Sequence, residues 1–272
     1  MLKDITIGQY YPTGSVIHRM DPRTKLFATF LYMVMLFFVK SVTGFVGMFV
    51  LLMIPIIISR IPIRYILRGL KGIFILILLT FFLNLFMTPG EEIFRIWILT
   101  VTREGLRLSV KMAVRLALLV SATSLMTLVT SPISLTDGME LLMKKIPLIG
   151  RYSHELAMMM SIALRFIPTL MEETDRIINA QKSRGADFES GNIIKRMRAF
   201  IPVLVPLFIS AFQRAEDLAL AMEARCYRGG DNRTRMKELK YGRADVMGYL
   251  YSFAVAAFVI GTNLLLKEGI II

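Results

Sequence analysis

The sequence predicts an all-α integral membrane protein with about five transmembrane helices and three cytoplasmic amphipathic helices. Of its 272 residues, 55% are hydrophobic and the mean hydropathy is +0.60. These values are too apolar for a soluble domain and ordinary for a multi-span membrane protein. Five apolar runs divide the chain, and the lysines and arginines are concentrated in alternate segments between them.

The five apolar runs differ in length. A helix needs about 20 apolar residues to cross the hydrocarbon core, and at 1.5 Å per residue the first run would cover only about 21 Å. We interpret the first two runs as thin or tilted spans, with a re-entrant hairpin turning near Lys40 and Ser41 as the alternative. The runs are 26–39, 42–58, 69–88, 105–130 and 246–266.

The distribution of positive charge predicts the orientation. With a cytoplasmic N-terminus, 26 lysines and arginines lie on the inner side and four on the outer side, as the positive-inside rule requires. The predicted protein is therefore a multi-pass protein of the cell (inner) membrane with its C-terminus outside. No cleavable signal is expected, because the first 25 residues lack an apolar core.

The same distribution predicts three regions. Residues 1–130 form an N-terminal membrane region with about four spans, residues 131–243 form a cytoplasmic region, and residues 244–272 form a C-terminal transmembrane helix. The net charge of +13 is explained by topology and contact with anionic lipid. Nucleic-acid binding is not expected, because the basic residues are not interleaved with aromatic stacking residues.

Three helices are predicted in the cytoplasmic region. The first starts near 134–137, where Thr136 or Asp137 can cap the run 139–146; the second covers 153–183 and the third 192–224. Pro168 in the second, and Pro202 and Pro206 in the third, should kink these helices.

The apolar first half of the second cytoplasmic helix, 153–183, is interrupted by Arg165 and Pro168. We expect this half to lie at the membrane interface or against the spans, with a membrane-spanning segment as the alternative. Arg165 is expected to donate hydrogen bonds to carbonyls that the proline leaves unpaired.

Both long helices end in one pattern, Ala-x-x-small-Arg-small, at 180–185 and 221–226. They also share a Phe-Ile-Pro-x-Leu segment, at 166–170 and 200–204, so they resemble distant copies of one unit. The proline lies 16 residues before the arginine in one copy and 23 in the other. Because seven residues are about two turns, we expect both arginines to face similarly while reaching to different lengths.

Small flanking residues allow an arginine to enter a groove, where its planar guanidinium can pair with a carboxylate through two hydrogen bonds. The alternative is that both arginines only cap helix C-termini, where a cation gains about 0.3–1 kcal/mol. Arg107, Lys111 and Arg115 form a separate stripe on the fourth span. Arg115 is the deepest, and it is predicted to contact another subunit or a buried acceptor.

No catalytic chemistry is expected. The sequence has no Walker A motif, no HExxH and no CxxC, and it contains one cysteine and two histidines. No nucleophile with a base can be assembled, and His18 and His154 are interpreted as hydrogen-bonding residues rather than metal ligands. The chain is therefore predicted not to be an enzyme and to hold no cofactor.

With these residues established, the chain resembles the transmembrane T component of energy-coupling factor (ECF) transporters over nearly its whole length. The resemblance begins with the Ser-x-x-His-x-x-Asp-Pro-Arg-x-Lys pattern at 15–25. It continues through Thr-Ser-Pro at 130–132 and Arg-Phe-Ile-Pro at 165–168, and it ends with the two arginine tips.

The resemblance implies that the tips insert into grooves of two cytosolic ABC-type ATPases. It further implies that the helices transmit ATP-driven motion to a separate membrane S component, which delivers a vitamin or a metal ion. The chain departs from the family at Cys226, where glycine is common, and at Ser183, where alanine is common. The implied docking residues are Ser183, Arg184, Gly185, Ala224, Arg225 and Cys226, with Arg115, Arg165 and Pro168 as subunit or structural contacts.

The resulting prediction is a coupling and scaffold subunit of an ECF-type importer. The alternative is a stand-alone secondary transporter or channel, which would need polar residues converging at mid-membrane. The predicted spans offer few such residues, chiefly Asn84, Arg115 and Asn263. Whether the chain serves a module shared by many S components or a dedicated system is left open by the sequence.

Overall fold

The computed structural model describes residues 10–96, 99–147, 149–188, 192–229 and 238–267. Of these residues 79% are helical and very few lie in strands, so the all-α prediction is confirmed. The elements are α1 (Val16–Arg19), α2 (Pro22–Phe38), α3 (Val42–Ser59), α4 (Ile63–Met87), β1 (Glu92–Ile96), β2 (Leu99–Thr102), α5 (Arg103–Val129), α6 (Pro132–Met143), α7 (Ser153–Ser183), α8 (Ile193–Ala224) and α9 (Arg243–Lys267).

The described residues form two compact units. Residues 8–138 and 239–272 belong to the bundle unit, and residues 139–238 belong to the helix-pair unit. In the bundle unit, α4 packs along α5, α2 packs against α9 and α5, and α3 packs against α5 and α9. Two antiparallel strands, β1 and β2, join α4 to α5.

The core of the bundle unit is made by apolar side chains from α2, α3, α5 and α9. Leu36, Met48 and Leu128 are almost fully buried, as are Val255 and Val259. In a bilayer such contacts stabilise the bundle by close packing, because lipid tails are as apolar as the side chains. Gly47 shows how close the packing is: a Cβ at this position would collide with the ring of Phe258.

Among the described residues, five helices are long and apolar enough to cross a membrane. This is the predicted number, but one of the five is not a predicted span. The candidate spans are Val42–Ser59, Ile63–Met87, Arg103–Val129, Met197–Ala224 and Arg243–Leu265. The first predicted span corresponds to α2, which has 17 residues, about 26 Å, and is not among these five. Met197–Ala224 in α8 qualifies by length and composition, because Pro202 and Pro206 lie inside a continuous helix rather than interrupting it.

Three smaller features were not predicted. These are α1, the hairpin and the start of α6, which begins at Pro132 rather than near 134–137. Ser131 accepts from the amide of Ser134, at 3.3 Å, at the start of this helix. The predicted cap Thr136 instead lies inside α6 and donates to the carbonyl of Pro132 at 2.9 Å.

The helix-pair unit contains α7 and α8, which were predicted closely. α7 has the predicted bounds, and α8 begins one residue after the predicted start. Both helices continue through their prolines. The two prolines of α8 are four residues apart, so the amide missing at Pro206 would have bonded to the carbonyl of Pro202 itself.

Candidate docking tips of helices α7 and α8

Helix α7 ends in a Schellman motif centred on Gly185. The amide of Gly185 donates to the carbonyl of Lys182 at 3.0 Å, and the amide of Ala186 donates to that of Gln181, also at 3.0 Å. Gly185 has φ +89°, in the left-handed region that a side chain disfavours. Arg184 is therefore the last residue before the chain reverses away from the helix axis.

Helix α8 ends in the same motif, position for position. The amide of Cys226 donates to the carbonyl of Glu223 at 2.8 Å, and the amide of Tyr227 donates to that of Met222 at 3.0 Å. Cys226 has φ +56°, so a residue with a side chain occupies the left-handed position that glycine fills at the end of α7. Arg225 thus lies at the position equivalent to Arg184.

The side chains at both helix ends are open to solvent. Neither arginine side chain makes a hydrogen bond or an ion pair with any residue that the structure describes. The last carbonyls of each helix are already satisfied by the backbone bonds of the Schellman motif, so capping does not occupy the guanidinium groups. The exposed residues are Ser183, Arg184, Gly185, Ala224, Arg225 and Cys226.

Three contacts show that α7 and α8 run antiparallel. His154 near the start of α7 contacts Tyr227 beyond the end of α8. Glu173 and Arg214 pair further along, and the ring of Phe188, just after α7, packs on Phe200 near the start of α8, with 5.3 Å between ring centroids. The two arginines therefore lie at opposite ends of the helix pair, which corrects the expectation that they face similarly. At 1.5 Å per residue, the 31 residues of α7 separate these ends by roughly 45 Å.

The Glu173–Arg214 ion pair joins the two helices between their ends. Nη2 of Arg214 donates to Oε2 of Glu173 at 2.6 Å, and Nε of Arg214 donates to the Ser210 hydroxyl at 3.4 Å. The pKa of Glu173 lies below its ordinary value, first because of a hydrogen bond from Ser210 and then because of the Arg214 charge. Such a pair fixes the register of two helices more than it stabilises them, since both side chains remain partly exposed.

Arg115 lies inside the bundle unit, on α5. Its Nη2 donates to the carbonyl of Val39 at 3.3 Å, and its guanidinium lies over the rings of Phe37 and Phe45, with its carbon 5.8 and 5.5 Å from their centroids. Lys111, one turn earlier, donates to the carbonyl of Lys40 at 3.0 Å. These two cations close the end of α2, where the chain turns into α3 and leaves carbonyls without helical partners.

Arg165 does not have its expected role. It is exposed, and it donates no hydrogen bond to a carbonyl within the part of α7 that the structure describes. Pro168 lies inside α7 and is also exposed. Because Pro168 lies on an exposed face of α7, the carbonyl that has lost its amide donor is accessible from outside the chain. It therefore does not need a hydrogen bond from Arg165.

The family-like pattern at 15–25 forms a polar network in the bundle unit. Arg23 pairs with Asp21 at 2.7 Å, and Lys25 donates to the carbonyls of His18 and Val129 at 3.1 and 2.9 Å. Asp245, at the start of α9, accepts from the amide of Asp21 at 2.7 Å. Asp245 was not predicted, because the pairing joins residues 224 positions apart and leaves no local signal.

Burial and charge act on this network in opposite directions. Burial alone would raise the pKa of Asp21, but hydrogen bonds from Arg23 outweigh it and hold the pKa below its ordinary value. Burial lowers the pKa of His18, whose Nε2 lies 2.9 Å from the carbonyl of Tyr11. Both histidines of the chain thus have hydrogen-bond partners, and no group of three or more potential metal ligands occurs among the described residues.

Comparison with known proteins gives consistent results over most of the chain. The model of the CbiQ family, described as cobalt transport protein, matches residues 13–236. The chain is 56% identical over 252 residues to a protein of Clostridium kluyveri named energy-coupling factor transporter transmembrane protein EcfT, covering 92% of this chain and 93% of that protein. Proteins of the same name from Thermosediminibacter oceani and Bacillus subtilis are 55% and 44% identical, over 92% and 94% of this chain and 94% and 97% of their own lengths.

Proposed function

The chain belongs to the family of energy-coupling factor transporter transmembrane proteins, and we propose a coupling role for it. In this role it connects two cytosolic ABC-type ATPases to a separate membrane S component. The observation that carries the proposal is that Arg184 and Arg225 occupy equivalent positions at opposite ends of an antiparallel helix pair and have no partner among the described residues. Two separated tips of one design suit two copies of one kind of partner. The transported substrate is then a vitamin or a metal ion bound by the S component.

The chemistry of each tip suits docking into an acidic groove. A guanidinium pairs with a carboxylate through two parallel hydrogen bonds, and the exposed arginines have no competing partner in the described residues. Small neighbours, such as Ser183 and Ala224, let the helix end approach the walls of a groove. Truncation of an arginine that is desolvated in such an interface costs about 2 kcal/mol or more.

Motion reaches the S component through the rigidity of the helix pair. The Glu173–Arg214 ion pair and the contacts at both ends hold α7 to α8, so a displacement of one ATPase moves both helices together. ATP hydrolysis is assigned to the ATPases and not to this chain. The chain itself is a multi-pass membrane subunit of a transporter complex.

The proposed orientation places the N-terminus and the tips in the cytoplasm and the C-terminus outside. The single cysteine of the chain, Cys226, is exposed at the second tip, so no engineering is needed to test it. A membrane-impermeant maleimide should label Cys226 in inverted membrane vesicles stripped of their ATPase subunits and leave it unlabelled in intact cells. Labelling of intact cells contradicts the orientation.

The docking proposal is tested by a pull-down of the detergent-solubilised chain from its native membrane, followed by mass spectrometry. The wild type should recover ATPase subunits, and the Arg184→Ala/Arg225→Ala double variant should lose them. The matched control is Arg64→Ala/Arg176→Ala, which removes two exposed arginines that lie eight or more residues from either tip arginine and should retain the ATPases. Recovery of ATPases with the double variant at the wild-type level contradicts the docking role of the tips.

A further inference from the structure

We propose that His154 and Tyr227 form a polar brace that positions the second tip, and that this brace is distinct from the contact that supports the first tip. The inference rests on the proposed function, because it concerns how a docking tip is held. His154 and Tyr227 were not among the predicted site residues. They lie 73 residues apart, and the antiparallel packing of α7 and α8 brings them together.

The brace is built around the imidazole of His154. Its Nδ1 lies 3.2 Å from Oε1 of Glu140, whose side chain is only 9% exposed. Its Nε2 lies 3.2 Å from the Tyr227 hydroxyl, whose oxygen is also 3.1 Å from the sulfur of Met158. When Nδ1–H donates to the carboxylate, Nε2 accepts the single hydroxyl proton of Tyr227. Each ring nitrogen therefore has one oxygen partner, so the imidazole can hold the tyrosine and the carboxylate at the same time.

Tyr227 connects this brace directly to the second tip. Its amide makes the longer bond of the Schellman motif, to the carbonyl of Met222 at 3.0 Å. Its side chain is partly buried, whereas Arg225 and Cys226 beside it are exposed. One residue thus closes the end of α8 with its backbone and binds the start of α7 with its side chain. The direction of Arg225 is therefore fixed relative to α7 as well as to its own helix.

The first tip is supported differently. Phe188, four residues after Arg184, is 6% exposed and packs on Phe200 of α8. This contact is apolar and has no directional requirement, whereas the second tip depends on hydrogen bonds whose donor and acceptor must be aligned. Removal of one hydroxyl should therefore release the second tip and leave the first tip unchanged.

The experiment measures the mobility of a nitroxide spin label on the native Cys226 in the full-length chain, by electron paramagnetic resonance in detergent or nanodiscs. Tyr227→Phe removes only the hydroxyl, and His154→Ala removes the other half of the brace. Each should increase the population of the mobile, detached tip about 2- to 10-fold, the change that the loss of one buried hydrogen bond produces. Tyr152→Phe is the matched control, since Tyr152 is exposed and lies two residues from His154.

The first tip provides the internal comparison. A label at Ser183→Cys in a Cys226→Ser background should report the same mobility with and without Tyr227→Phe. Equal release of both tips contradicts the proposal, because it indicates general loosening of the helix pair. Unchanged mobility of the Cys226 label in Tyr227→Phe also contradicts it.

The consequence for docking is measured in an Arg184→Ala background, where the second tip alone holds the ATPases. Tyr227→Phe should then weaken ATPase recovery about 2- to 10-fold, and full recovery despite a mobile tip contradicts the positioning role. If the Arg184→Ala/Arg225→Ala variant still binds the ATPases, the proposed function is wrong. The label mobility still decides whether the brace exists.

Discussion

The two tips share one backbone conformation, but different side-chain contacts connect each tip to the other helix. Both place an arginine before a left-handed residue in a Schellman motif, with the same two hydrogen bonds. The left-handed residue is Gly185 in the first tip and Cys226 in the second. The helix end itself therefore sets the position of the arginine. The flanking residues need only be compatible with the left-handed turn.

The largest effect should come from removing what the tips have in common. We expect Arg184→Ala/Arg225→Ala to abolish ATP-driven uptake, because each arginine contributes about 2 kcal/mol or more to its contact. Each single substitution should be milder, since the remaining tip still holds one ATPase near the membrane. Uptake of labelled substrate in cells measures both.

Control measurements separate docking from folding. The double variant should insert in the membrane in wild-type amounts, because both arginines are exposed and unpaired within the described residues. Wild-type uptake by the double variant contradicts the docking role. Complete loss of uptake in only one single variant would show that the two tips are not equivalent in function.

The next effect should distinguish the tips by their left-handed residue. Gly185→Ala places a Cβ where φ is +89°, and no atom lies within 4 Å of it, so the cost is conformational alone. About 1–2 kcal/mol is expected for a non-glycine residue in this region, which corresponds to a roughly 5- to 30-fold loss of the docking-competent first tip. Titration of purified ATPase onto the Arg225→Ala/Gly185→Ala variant, beside Arg225→Ala alone, measures this loss.

An unchanged affinity in that titration would mean that the left-handed turn is not needed for docking. Hydrogen exchange of the amides of Gly185 and Ala186 provides the structural readout. Both amides donate in the Schellman motif, so both should exchange faster in the variant.

The opposite substitution should improve the second tip. Cys226→Gly relieves the strain of a side chain at φ +56°, but it also gives the unfolded chain more freedom, which offsets part of the gain. We expect a net stabilisation of the turn of about 0.5 kcal/mol. Slower exchange of the amides of Cys226 and Tyr227 would show it. Cys226→Ala is the control, because it keeps the Cβ and should leave exchange unchanged.

For the helix-pair unit, the sequence predicted the bounds of the helices well and their mutual direction poorly. Apolar periodicity and the small-Arg-small endings are local signals, so α7 had its predicted bounds and α8 was in error by one residue at its start. The strand-like run of β-branched residues at 98–102 could have indicated the hairpin, since alternate β-branched residues favour strands. The prolines of α8 were misleading, because each proline removes only one amide donor and the helix continues through both.

The candidate site was predicted in its residues but not in its geometry. Equal patterns at two helix ends do not specify whether the helices run parallel or antiparallel. That choice depends on contacts such as Tyr227 with His154, which are far apart in sequence. The left-handed turn at Cys226 also required the structure, because a cysteine gives no local preference for it.

The smallest effect should come from the feature that both tips share, the Glu173–Arg214 ion pair. The lowered pKa of Glu173 means that the folded chain keeps the carboxylate ionised. Its contribution is therefore complete above the ordinary pKa of 4.5 and is lost as the pH falls through the lower pKa of the folded state. Because both side chains are partly exposed, we expect at most about 1 kcal/mol.

This ion pair lies between the two tips, so its loss should affect both tips alike. Spin labels at Cys226 and, separately, at Ser183→Cys in the Cys226→Ser background should gain mobility in parallel as the pH is lowered below 4.5. Glu173→Gln should remove the part of this pH dependence that comes from the pair, since an amide does not titrate. A response at one tip alone would show that the pair belongs to that tip's support. It would then not be the common link through which the two helices move together.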